Sequence, residues 1–152
     1  MALIIKELTM HNLNLLDNRG NVPSASGLNW GQNSERNHTT PDDAYIAIRI
    51  HDIQERPDLF KPLNTIKNVR VIWDDNTEML MSFEGTQDVG PLVYPKQLSV
   101  LNSKSALGVY LKNRMGIPLG TYITKEHLER YGRTTISVSI DHNETYYLNF
   151  GV

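Results

Sequence analysis

Asn68-Val-Arg-Val-Ile-Trp73 and Glu78-Met-Leu-Met-Ser-Phe83 stand on either side of Asp74-Asp75-Asn76. The first run alternates apolar and polar residues, the period of a half-buried strand. It is rich in β-branched and aromatic side chains, which suit a pleated surface. The acids and asparagine between the runs supply turn chemistry, so the stretch reads as a β-hairpin. A second hairpin closes the chain: Thr134–Ile140 and Glu144–Phe150 flank Asp141-His142-Asn143. Working outward, Ala44–Ile50 and Gln97–Leu101 read as strands, and Leu13 with Leu15 as a short strand ending at the turn Asp17-Asn18-Arg19-Gly20. That makes about seven strands.

Two helices punctuate them. Ser103–Met115 places Leu107, Tyr110, Leu111 and Met115 on one face, with Ser103 as N-cap and Gly116 as stop. Thr124–Tyr131 is shorter, capped by Thr124 and ended by Gly132. Seven strands with two short helices predict a mainly β protein, a barrel or sandwich with helices at its ends.

Two stretches fit no period. Residues 21–43 are rich in Asn, Ser and Gly around one large aromatic, Trp30. Gly85–Pro95 reads as a second irregular loop, and His51–Pro62 as a polar excursion. Long irregular loops in a compact domain tend to be functional.

Composition narrows the chemistry. The 152 residues amount to one domain, with residues 1–12 as a lead-in and 13–152 as the folded unit. There is no cysteine, which removes disulfide scaffolds, zinc fingers and cysteine nucleophiles, and fits a reducing cytoplasm. No segment resembles a signal peptide, and no run approaches the ~18 apolar residues that cross a bilayer. The net charge of −2 argues against a non-specific nucleic-acid coat, but a specific reader depends on where Arg and Lys stand, not on their sum.

No catalytic constellation emerges. None of His11, His38, His51, His127 and His142 lies four residues from another, and none has a lysine two residues later. No lysine has an acid two residues before it, the spacing that holds magnesium beside a scissile phosphate in common nucleases. There is neither a nucleophile elbow nor a phosphate-cradling loop. Asp74-Asp75 and Asp42-Asp43 read as turn chemistry. Neither cofactor nor metal is expected.

Ser26-Gly-Leu-Asn-Trp-Gly-Gln32, Asp43-Ala-Tyr-Ile46, the run from Leu107 to Pro118, Glu129-Arg-Tyr-Gly-Arg133 and Asp141–Val152 together resemble the C-terminal DNA-recognition domain of phospholipase D-type restriction endonucleases of the NgoFVII group. The resemblance covers Leu13 to Val152. It implies the B3-like DNA-binding pseudobarrel, an open seven-stranded barrel. It implies sequence-specific recognition of double-stranded DNA in the bacterial cytoplasm, with an N-arm and a C-arm entering the major groove. The family's catalytic domain precedes the recognition domain, and this chain lacks it. Either a domain has been excised behind a new start, which the lead-in favours, or the nuclease acts in trans.

On that reading the N-arm offers Asn21, Asn29, Gln32, Asn33, Arg36 and Asn37 as base readers. Arg can take guanine bidentately, and Asn or Gln can take adenine. The C-arm offers Gln87, Asp88, Tyr94, Lys96 and Gln97, with Asp88 suited to a cytosine amino group. Trp30 fits a packing anchor, since a duplex has no unstacked base to offer it. Arg19, Arg49, Lys61 and Lys104 are candidate phosphate contacts. Arg114, Arg130 and Arg133 fit helix capping or pairing with Glu126 and Glu129. Two alternatives remain: a β-barrel module for a small polar ligand or a protein partner, with Trp30, Asn29 and Gln32 lining a pocket, and a nuclease with an unrecognised centre.

Overall fold

A computed structural model describes residues 10–33, 39–63 and 67–152. Seven strands form one sheet in the order β1-β8-β9-β3-β4-β7-β2, and two more form a separate hairpin, β5-β6. The large sheet comprises β1 (His11–Asn14), β2 (Ile46–Ala47), β3 (Asn68–Trp73), β4 (Glu78–Glu84), β7 (Gln97–Val100), β8 (Thr135–Ile140) and β9 (Tyr146–Asn149). The hairpin comprises β5 (Gln87–Val89) and β6 (Leu92–Tyr94). All pairs are antiparallel except β3 with β9, where Val71 faces Tyr146 in a parallel ladder.

The sheet curls into a nearly closed barrel. Leu13, Ile46, Val69, Val71, Trp73, Met81, Phe83, Leu98, Ile136, Val138, Tyr146 and Leu148 fill its buried core. Alternation along β3 and β9 puts every second side chain there. Both local hairpins read from the sequence are present, because each carries its own turn. The seam lies between edge strands β1 and β2, which share no ladder. Arg49 bridges it: Nη1 donates to the Asn14 carbonyl and Nη2 to the Leu16 carbonyl, both at 2.9 Å.

Helices α2 (Lys104–Met115) and α3 (Lys125–Tyr131) stand where the sequence places them. Both end at glycines in the left-handed region, Gly116 and Gly132. The Thr124 hydroxyl caps α3 by accepting from His127 N, whereas Ser103 makes no side-chain cap.

Three elements depart from the sequence reading. The alternating run 44–50 pairs only at Ile46 and Ala47, and Ile50 opens a helix, α1 (Ile50–Glu55). Asp52 accounts for the switch: its buried carboxylate accepts from Arg49 N at 2.8 Å and from His11 Nε2 at 2.7 Å, so the chain turns rather than extends. Gly85–Pro95, read as irregular, contains the β5-β6 hairpin. Gly90 at φ 59° with Pro91 makes its two-residue turn, and its strands are too short to display a period. Gly27–Gln32 forms a short 3-10 segment inside the stretch read as irregular.

Candidate nucleic-acid interface

The N-arm, residues 21–43, runs from β1 to β2 and is described except for 34–38. Arg36 and Asn37 therefore lie outside the described residues. What is described is tightly braced. Asn29 is 0% exposed. Its Nδ2 donates to the carbonyls of Pro23 (3.0 Å) and Ile123 (2.8 Å), and its Oδ1 accepts from Ile123 N at 2.8 Å. Gln32 Nε2 donates to the carbonyls of Pro41 (3.0 Å) and Gly120 (3.1 Å). Both amides thus tie the arm to the segment between α2 and α3.

The returning leg of the arm is held by charge. Asp42 accepts from Lys112 Nζ at 2.5 Å and from Gly120 N at 2.8 Å. Lys112 is fully buried in α2. Burial works against the charged form of Asp42, but the Lys112 ammonium and the Gly120 N–H outweigh it and hold the carboxyl below its usual range. Two glycines permit the close approach: a side chain at Gly108 would collide with the Asp42 carbonyl, and one at Gly31 with the Thr40 carbonyl.

The C-arm is the β5-β6 hairpin on the root Glu84–Gly85 and Pro95–Gln97. Gln87 Nε2 donates to the carbonyls of Ile48 (2.8 Å) and Pro95 (2.9 Å), which fastens the hairpin to the barrel wall. Tyr94 is half-buried and packs on the core with Val89. Gln97 is half-buried at the start of β7, opposite Ala47 and Glu84. Lys96 lays its aliphatic stem against Gly85 and is exposed. Asp88 is exposed on the hairpin.

The two arms share a root. The N-arm leads into β2 and the C-arm into β7, neighbouring strands paired at Ala47 and Gln97. Lys104 links them: Nζ binds Glu84 Oε1 at 2.6 Å and lies 5.6 Å from the Trp30 ring centre. Glu84 also accepts from Ser99 Oγ at 2.6 Å. Burial opposes ionisation of Glu84, yet Lys104 and Ser99 outweigh it and lower its pKa. Trp30 meets Tyr45 edge to face at 6.5 Å, as an anchor would.

The remaining positions divide by their partners. Arg49 is engaged in the seam, Lys104 at the root, and Lys61 with Glu144 Oε1 at 3.1 Å. Arg19 and Asn21 are exposed and line a shallow cleft of about 380 Å³ with Tyr122 and Lys125. Asn33 is half-buried. The sequence reading did not single out Lys67, which is exposed and whose charge reaches Glu84, or Glu84 itself. No local pattern marks either, because the barrel brings them to the arm.

Several arginines find other partners than those expected. Arg114 grips Asp74 with both Nη atoms at 2.7 Å rather than pairing with Glu126 or Glu129. Arg133 holds the Gly151 carbonyl and Ser137 Oγ. Asp75 is turn chemistry, accepting from Thr77 N, but Asp74 also anchors Phe150 N at 2.8 Å. Among the described residues no cluster of His, Asp and Glu is arranged to hold a metal ion, and no helix is long and apolar enough to cross a membrane.

No curated relative matches the chain. The family model of the NgoFVII C-terminal B3-like DNA-binding domain matches residues 3–141, which take in both arms and every barrel strand but β9, so the chain belongs to that family of restriction-enzyme DNA-binding domains.

Proposed function

We propose that this domain reads a short duplex site through the major groove with its two arms. A phospholipase D-type nuclease domain, in the same polypeptide or in trans, then cuts the bound DNA. The observation that carries this reading is the shared root. Trp30, Lys104 and Glu84 join the bases of both loops, so one duplex can meet both arms. Braced loops also suit recognition, because order already present before binding need not be acquired on binding.

The candidate residues take two roles. Asn29, Gln32 and Gln87 turn their amides onto backbone carbonyls and hold the arms in shape. Asn21, Asp88, Tyr94, Lys96 and Gln97 are assigned to the bases on this reading, together with Asn33 and with Arg36 and Asn37, which lie outside the described residues. Arg19, Lys67 and Lys96 are exposed cations assigned to phosphates, while Arg49, Lys61 and Lys104 support the fold around them.

The test is selection of bound duplexes from a randomised pool, followed by titration against salt. A specific reader enriches one short site and loses affinity steeply as salt rises. Arg36→Ala costs about 1–3 kcal/mol on the selected site if that residue reads a base, and equally on random DNA if it contacts phosphate. No retention of any duplex at low salt would favour a module for a small ligand or a protein partner.

A further inference from the structure

Asp88 and Val93 face each other across the middle of the C-arm hairpin. Gln87, Val89 and Tyr94 alternate with them and turn toward the barrel, so Asp88 and Val93 share the outer face. The Val93 carbonyl points away from β5 and accepts from Leu63 N at 3.1 Å. The pair is therefore of the non-hydrogen-bonded kind, whose side chains stand roughly 5 Å apart. Val93 is 44% exposed. Among the described residues no hydrogen bond or ion pair engages the Asp88 carboxylate.

An acceptor beside a branched apolar group matches one base edge best. In the major groove cytosine presents its N4 amino donor next to C5. Thymine presents an acceptor at O4, guanine presents acceptors at O6 and N7, and adenine sets its acceptor N7 beside its amino group. A carboxylate is repelled by each of those acceptors. Resting on the reading of the domain as a duplex reader, we infer that Asp88 and Val93 form one recognition unit for cytosine that also senses the substituent at C5. Asp88 accepts from N4, and Val93 lies against C5. The Gln87 bonds hold the hairpin to the barrel wall and the Leu63 bond holds its β6 edge, and both resist a retreat that would admit an added methyl group. The unit thereby favours unmethylated DNA.

The experiment uses the full chain and the duplex selected from the random pool. Each cytosine in turn is replaced by 5-methylcytosine or by N4-methylcytosine, whose methyl group occupies the place of the groove-facing donor. At one cytosine both modifications weaken wild-type binding by about tenfold or more. Val93→Ala removes most of the 5-methyl penalty and leaves the N4-methyl penalty. Asp88→Asn does the reverse and relaxes the choice of cytosine over thymine. Both positions are exposed, and equal melting temperatures of the variants and the wild type establish that they fold. A selected site without cytosine, or penalties identical in wild type and both variants, overturns the inference and leaves duplex reading intact. No retention of any duplex overturns both.

Discussion

The two arms achieve order by opposite means. The C-arm carries its own ladder: three paired rungs, a two-residue turn and one amide, Gln87, that fixes it to the wall. The N-arm shows no ladder among its described residues. Its described part is held by side chains reaching distant backbone, Asn29 to Ile123 and Gln32 to Gly120, and by Asp42 on Lys112. A hairpin satisfies its backbone polar groups locally, whereas an irregular loop must find partners elsewhere in the fold. The N-arm is thus only as ordered as the α2–α3 segment it leans on.

That contrast can be broken most forcefully at Lys112. Lys112→Ala leaves the Asp42 carboxylate without its buried partner. Such losses approach about 3 kcal/mol, with the remaining exposure of Asp42 pulling the figure down. Chemical denaturation reads the stability, and Trp30 fluorescence in a Trp73→Phe background reads the N-arm. Loosening of the C-arm alone would contradict the division of labour.

Asn29→Ala comes next. It strands buried backbone groups at Pro23 and Ile123 and removes roughly 2 kcal/mol. Hydrogen exchange is expected to quicken at Ile123 N and across residues 23–32, while β5 and β6 keep their protection. Gln87→Ala is milder, about 1 kcal/mol, because the ladder survives. Its effect is a hairpin that pivots on Gly85, seen as faster exchange at Leu63 N with the β5-β6 pairs intact.

The smallest effect is that of pH. Asp42 and Glu84 both have pKa values lowered in the folded protein. Their contribution is therefore complete above the ordinary carboxylate range and is lost as pH falls through and below it. Both carboxylates brace the arms, so acid melts are expected to release the shared root before the barrel. Coincident loss of Trp30 and Trp73 signals would show that the arms and barrel unfold together.

Much of the barrel was legible because its information is local. The hairpins at Asp74–Thr77 and Asp141–Glu144 carry both the alternation and the turn, and α3 carries its cap and stop within nine residues, Thr124 to Gly132. The family texture reached further, since the Ser26–Gln32 motif packs against residues that lie far along the chain. Ala44–Ile50 misled because its alternation is genuine but its fate depends on Asp52 meeting His11, a contact across the seam. The C-arm ladder was hidden because three-residue strands are too brief to show a period.

By itself the sequence determined the strand-rich class, the positions of two hairpins and two helices, and the two polar stretches that a duplex reader would use. Only the tertiary structure decided which side chains in those stretches face out. The identity of an amide states its donors and acceptors but not the direction in which they are spent. Asn29 and Gln87 turn inward because carbonyls at Ile123 and Ile48 await them, and leaving such buried carbonyls unpaired would cost more than a solvated amide gains outside, whereas Gln32 reaches the Gly120 carbonyl at the surface.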